Sequence, residues 1–103
     1  KGTTETTFDP NGNITREQLA AMLYRYADWA NENKASDVDL TVRGDISKYN
    51  DADEISNYAI GNMEWAVGVG LFKGDNKNML NPKETATRAE VATTFQRLCE
   101  EVL

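Results

Sequence analysis

The chain has 103 residues, 17 acidic against 11 basic, for a formal net charge of −6. That length suits one domain with a modest core, and that charge gives no bulk field to draw the chain onto nucleic acid or an anionic membrane, so any anionic partner must be held by local groups. The absence of histidine and the single Cys99 remove the commonest general base, most zinc sites and any internal disulfide together.

No apolar run is long enough for a membrane span and no signal peptide is visible, although the abrupt start reads as a piece of a longer precursor. In chain order the first informative stretch is "FDPNGNITREQLAAMLYRY", residues 8–26, which sets Asp9, Asn11 and Asn13 at alternate positions before a helical pattern. An EF-hand loop needs glycine at its sixth position and a bidentate carboxylate at its twelfth. Counting from Asp9 puts Ile14 and Ala20 there, so neither calcium nor any other metal is expected. Thr15-Arg16-Glu17-Gln18 instead has capping-box spacing, with Ile14 and Leu19 placed as a hydrophobic staple. Leu19, Leu23, Tyr26, Ala27 and Ala30 then share one helical face.

Residues 31–50 are polar and mostly aperiodic, a long surface connection in which Val38, Leu40 and Val42 anchor a short extended piece. Arg43-Gly44-Asp45 within it is an integrin-type tripeptide too short to carry an adhesion reading. "DADEISNYAIGNMEWAVGVG" follows, with Asp51 and Glu54 at N-cap and N3 spacing. Ile55, Ala59, Met63, Ala66 and Val67 recur at helical intervals until Gly68 and Gly70 stop the helix. The Gly- and Asn-rich "LFKGDNKNMLNP" has room for a short two-stranded pairing of Leu71-Phe72 with Met79-Leu80. Thr87-Arg88-Ala89-Glu90 repeats the capping box, with Ala86 and Val91 as its staple. The last helix runs from about Arg88 to Glu101 with Val91, Phe95, Leu98, Cys99 and Val102 on one face, where Cys99 reads as a small buried hydrophobe.

The chain repeats itself at an offset of 80 − 8 = 72 residues. Pro10 answers Pro82, Thr15 answers Thr87, Arg16 answers Arg88, Ala20 answers Ala92 and Arg25 answers Arg97, while Leu19 pairs with Val91 and Leu23 with Phe95. Lys1-Gly2 falls on Lys73-Gly74. The organisation is therefore read as the second half of a truncated repeat at 1–34, a connecting loop at 35–48 and a complete repeat at 49–103.

Capping explains Thr15, Gln18, Thr87 and Glu90, but not the arginines. A cation in the first helical turn opposes the macrodipole by roughly 0.3 to 1 kcal/mol when exposed. Two readings stand open: Arg16 and Arg88 grip an external carboxylate or phosphate seated at the free amides, or each pairs with an acidic residue of the neighbouring unit.

"FDPNGNITREQLAAMLYRY" and "DADEISNYAIGNMEWAVGVGLFKG…LNPKETATRAEVATTFQRL" resemble the S-layer homology domain, whose hallmark is a Thr-Arg-Ala-Glu helix start after a Gly-x-x-x-Gly connection. The resemblance spans about one and a half repeats. It implies an all-α fold of helical repeats joined by long loops and packed around a pseudo-threefold axis, in a secreted protein of a Gram-positive bacterium held at its cell surface. It further implies noncovalent binding of pyruvylated secondary cell-wall polysaccharide between repeats, without catalysis or cofactor. Carried onto this sequence, Arg16 and Arg88 would grip the pyruvyl carboxylate, Gly70 and Gly74 would admit the sugar to the backbone, Lys73 joins them in the ligand set, and Tyr58 or Trp65 would stack on a sugar face. Each aromatic could equally be core, and for Trp65 inward packing is favoured. Glu17, where the family motif has alanine, stands beside Arg16 and would weaken that site.

The alternative is a protein-interaction or assembly module whose grooves bind other subunits rather than glycan; binding of wall polymer sensitive to Arg88→Ala separates the two. A hydrolase would have to draw on Asp51, Asp53, Glu54 and Glu64, which share no evident cleft. Because a repeat rarely buries its apolar face alone, the stripe at Leu19, Met22, Leu23 and Tyr26 is expected to stay partly bare and to drive self-association or element exchange through the incomplete first repeat.

Overall fold

The computed structural model describes residues 14–34 and 37–102; the loop at 8–13 and the Lys1-Gly2 pair lie outside the described residues. Helix α1 spans Arg16–Glu32 and starts where the sequence sets its cap. Thr15 is extended, its Oγ1 accepts the Gln18 N–H at 3.3 Å, and Gln18 Oε1 accepts the Thr15 N–H at 2.8 Å. Helix α2 spans Ile60–Gly68, and α3 spans Arg88–Arg97 before widening into a π turn over Leu98–Val102. At α3 the Thr87 Oγ1 accepts the Glu90 N–H at 3.0 Å and Glu90 Oε1 accepts the Thr87 N–H at 2.9 Å. Both capping boxes form as their spacing dictates.

The fold is all-α, with no strand among the described residues. An isolated antiparallel bridge joins Thr15 to Thr85. The pairing expected of Leu71-Phe72 with Met79-Leu80 does not form, because Asp75 folds that stretch into a turn. Its carboxylate accepts the amides of Lys77 at 2.8 Å and Met79 at 3.1 Å and the Asn81 side-chain amide at 3.1 Å. Asn78 and Asn81 take left-handed φ values of 61° and 56°, a conformation asparagine tolerates better than most residues.

The helix expected from Asp51 onward is broken. Residues Ala52–Glu54 and Asn57–Ala59 form separate 3₁₀ turns, and between them Ile55 and Ser56 are extended, with ψ of 131° and 146°. Glu17 of α1 is the cause: its carboxylate accepts the Ser56 N–H at 2.9 Å and the Ser56 hydroxyl at 2.7 Å, holding the backbone out of the helical region. Asp51 does not cap either. Its carboxylate is 2 % exposed and accepts the amides of Leu80 at 2.8 Å and Asn81 at 2.7 Å, tying the start of the second unit to the loop before α3. Helix α2 stops where expected, at a Schellman motif in which Gly70 N–H reaches Val67 O at 3.1 Å and Leu71 N–H reaches Ala66 O at 2.8 Å. Gly70 supplies the required φ of 90°.

The core gathers Leu19, Leu23 and Ala27 of α1, Met63, Trp65 and Ala66 of α2, and Leu71, Phe72, Leu80 and Leu98. The connection lies at the surface as expected, with Val38 buried and Leu40 and Val42 packed on the core, and is pinned over α2. Asn31 holds Val38 by both its N–H and C=O, Tyr24 Oη donates to Leu40 O at 3.2 Å, and Trp65 Nε1 donates to Asp39 O at 3.3 Å. Gly44 lies so close to Gly68 that a Cβ there would be 2.7 Å from the Gly68 nitrogen. Arg43 turns back onto the Leu40 and Val42 carbonyls while Asp45 holds the Ser47 N–H and hydroxyl, so the integrin-type tripeptide is used internally.

Of the stripe expected to stay partly bare, Met22 and Tyr26 are half-buried while Leu19 and Leu23 are covered, and the barer apolar surface lies on the other unit. Leu19, Ala20, Leu23 and Ala27 are fully buried beneath α2 and its flanking loops, whereas their repeat counterparts Val91, Ala92, Phe95 and Cys99 are half-buried or exposed. Cys99 is accordingly not a core residue. Tyr26 bridges the two helices, edge-on to Phe95 at 5.0 Å and beside Trp29 at 5.6 Å. Trp29 remains 53 % exposed.

Replacing Asp51 by Ala leaves one buried and one partly buried amide without acceptors, so Asp51→Ala is expected to cost about 2 to 4 kcal/mol. Asp51→Asn, which retains one acceptor, should cost less. Urea unfolding followed by tryptophan fluorescence gives both values.

Candidate functional site

A groove of about 300 Å³ runs between the first turn of α1, the segment leaving α2 and one face of α3; its lining includes Arg16, Phe72, Lys73, Glu90, Thr94 and Arg97. The Schellman turn at Gly70 sends Leu71–Lys73 along its floor, and Arg97 Nη1 donates to Leu71 O at 3.4 Å. Arg16 crosses one end. Its guanidinium stacks over Phe72 at 5.2 Å, Nε donates to Leu80 O at 2.9 Å, and Nη1 meets Glu90 Oε2 at 2.6 Å. The described lining residues include three cations, Arg16, Lys73 and Arg97, and the single carboxylate of Glu90, on a chain whose net charge is −6.

The seat expected at the free amides of α1 is filled from inside. Arg16 N–H donates to Glu84 O at 2.9 Å and Glu17 N–H to Pro82 O at 3.0 Å, so the loop before α3 supplies the acceptors an external anion would have supplied. For Arg16 the ion pair with the neighbouring unit is therefore realised, and its charge is turned away from the helix axis into the groove. Arg88 is exposed at the first residue of α3 and lies outside the groove lining. The two arginines, equivalent in sequence, differ in exposure, Arg16 being half-buried and Arg88 exposed.

Glu17 does not oppose Arg16 as expected. It points to the opposite side, where it is 4 % exposed and takes Ser56 and, at 3.2 Å, Lys83 Nζ. Burial pushes its pKa up, but the Ser56 amide and hydroxyl and the Lys83 ammonium outweigh that and hold it below its ordinary value of 4.5. Tyr58 stands on this side too, 58 % exposed, its hydroxyl pushed up by burial and by the Glu17 charge.

Trp65 is fully buried, edge-on to Tyr24 at 5.3 Å, in the inward packing favoured for it; it cannot stack on a ligand, and its place in the binding set is corrected to the core. Gly74 also has a packing role, since a Cβ there would come within 2.8 Å of Tyr49 Cδ1. Gly70 acts through the turn it permits. Of the expected binding residues the structure thus brings Arg16 and Lys73 together, with Gly70 setting the course between them. Arg97 also lines this groove, and its recurrence with Arg25 at the 72-residue offset is the sequence signal that could have pointed to it.

The S-layer homology domain model matches residues 1–20 and 48–92, stretches whose ends are 92 − 20 = 72 residues apart, the offset of the internal repeat. The chain belongs to the S-layer homology domain family. It is 34 % identical over 97 residues to an endoglucanase of Bacillus sp. strain KSM-635, covering 94 % of this chain and 10 % of that protein. It is 31 % identical over 105 residues to the surface-layer 125 kDa protein of Lysinibacillus sphaericus, covering 99 % and 8 %. The chain spans a tenth or less of the length of these two relatives. Among solved structures, the undecaheme cytochrome from the S-layer of Carboxydothermus ferrireducens shares the fold at a TM-score of 0.59 and 23 % identity, over 87 % of this chain and 14 % of that one. Membership of the family makes this a domain of a secreted, cell-surface protein, with an anchoring rather than a catalytic character. No helix among the described residues is long and apolar enough to cross a membrane.

Because Glu17 is held below 4.5, its contribution is present above the unfolded value and lost as pH falls through the folded one. Glu17→Gln is expected to destabilise at pH 7 by about 1 to 3 kcal/mol. The gap to the parent chain should close as thermal melts are taken from pH 7 to pH 3; a gap independent of pH would contradict the assignment.

Proposed function

We propose that the chain is a noncatalytic module that anchors its parent protein to the wall of a Gram-positive bacterium by holding pyruvylated secondary cell-wall polysaccharide in the groove beside Arg16. The carrying observation is local: three cations converge on one groove of an acidic chain, over a floor whose Phe72 is already stacked beneath a guanidinium. Arg97 and Arg16 offer forked donors suited to the pyruvyl carboxylate, and Lys73 adds a compact charge at the exposed rim. No cofactor enters this reading, and no carboxylate pair lines the groove for hydrolysis, since Glu90 stands there alone among the described residues.

A second reading, assembly with another protein unit, has its own support in the uncovered face of α3. Val91, Ala92, Phe95 and Cys99 repeat a pattern that is fully buried on α1, and the stripe runs on to Trp29.

Purified wall polymer, before and after chemical removal of pyruvate, tests the first reading by pull-down and calorimetry. Lys73→Ala is expected to weaken binding at least about tenfold, on the scale of a lost charge-assisted contact. Equal binding of the pyruvate-free polymer would remove this reading. For the second, sedimentation velocity should show concentration-dependent association that Phe95→Asp abolishes; a parent chain monomeric at every concentration would remove it.

A further inference from the structure

The carboxylate of Glu90 already stands where a carboxylate-bearing ligand would have to stand. Its Oε2 lies 2.6 Å from Arg16 Nη1, with side chains 42 % and 17 % exposed, while its Oε1 accepts the Thr87 N–H at 2.9 Å. One residue thus serves as the N3 partner of the α3 capping box and as the counter-ion of Arg16. The cap needs no charge, because neutral Gln18 fills the same position of α1 and accepts the Thr15 N–H at 2.8 Å. The charge of Glu90 is therefore surplus to the cap and acts on the groove, where Lys73 and Arg97 complete the cationic wall.

Resting on the reading of this groove as an anion site, we infer that Glu90 is a built-in competitor that sets the affinity of the groove by occupying Arg16 until a ligand carboxylate displaces it. Two carboxylates cannot share the guanidinium without repelling each other in a partly desolvated groove, so an incoming anion gains Arg16 only as Glu90 leaves. Lys73 and Arg97 make the first capture. Arg16 is reached by ligands whose remaining contacts offset the displacement, which selects a carboxylate carried on a sugar over a small free carboxylate. A neutral glycan has no claim on Arg16 and meets no competitor.

The test uses the whole chain with pyruvylated wall polymer as the probe, free pyruvate as the small-carboxylate control, and Glu90→Gln, Arg16→Ala and the double variant. Glu90→Gln keeps the capping geometry that Gln18 demonstrates, and its thermal melt checks that it is folded. It is expected to bind the polymer about three- to tenfold more tightly than the parent, the range of one ion-pair contact in a half-exposed site. The gain should vanish when Arg16→Ala is added, and free pyruvate should gain at least as much as the polymer. A parent chain that binds while Glu90→Gln binds equally or less tightly overturns the competitor and leaves the anchoring reading standing. If neither chain binds pyruvylated polymer, the anchoring reading fails and the competitor fails with it. Should Glu90→Gln melt early, Glu90→Ala per folded molecule decides by the same comparison, since it too frees Arg16.

Discussion

The loop before α3 docks onto the first turn of α1, and most of the structure follows from that contact. Carbonyls of Pro82 and Glu84 accept the amides of Glu17 and Arg16, and Ala86 N–H returns to Ile14 O at 2.8 Å. A helix start carries unsatisfied amides that something must meet, and here the second unit meets them for the first. Two neighbouring side chains then leave in opposite directions: Arg16 into the groove toward Glu90, and Glu17 across to Ser56 and Lys83. The first builds the cationic wall, and the second breaks the helix that would otherwise have run from Asp51.

The two units are alike in sequence and unlike in burial. Leu23 is fully buried while its counterpart Phe95 is 36 % exposed, because α2 and the pinned connection cover α1 and nothing among the described residues covers α3 in the same way. Repeat architectures distribute stability through interfaces between neighbours rather than within units. The interface found here is dense in buried polar contacts as well as apolar ones, with Asp51 and Glu17 each holding two donors of a distant segment. Such groups make the docking directional, because only one register satisfies them.

Global and local electrostatics point in opposite directions. An acidic chain repels anions at long range, yet the groove gathers Arg16, Lys73 and Arg97 against Glu90. Screening confines the global charge to a Debye length of about 8 Å at physiological salt, so recognition inside a groove answers to the nearer groups. The Arg16–Glu90 ion pair already made within the groove would, on the proposed reading, moderate that attraction and tie affinity to the exchange of one carboxylate for another.

Local rules written in short spacings were legible without coordinates. Both capping boxes, the stop of α2 at Gly70, the apolar face of α1 and the 72-residue repeat follow from hydrogen-bond reach, glycine's access to positive φ and helical periodicity, all of which act within a few residues. Tertiary structure alone decided what distant segments do to one another: that Asp51 serves the amides of Leu80 and Asn81 rather than its own helix, that Glu17 turns from Arg16 to Ser56, that Trp65 is sealed beneath the connection, and that Arg97 rather than Arg88 lines the groove with Arg16. Asp51 and Glu17 each had a plausible partner close by in sequence and took a better one across the fold. Burial raises the cost of leaving any donor or acceptor unmet, so the partner is chosen by the packed whole.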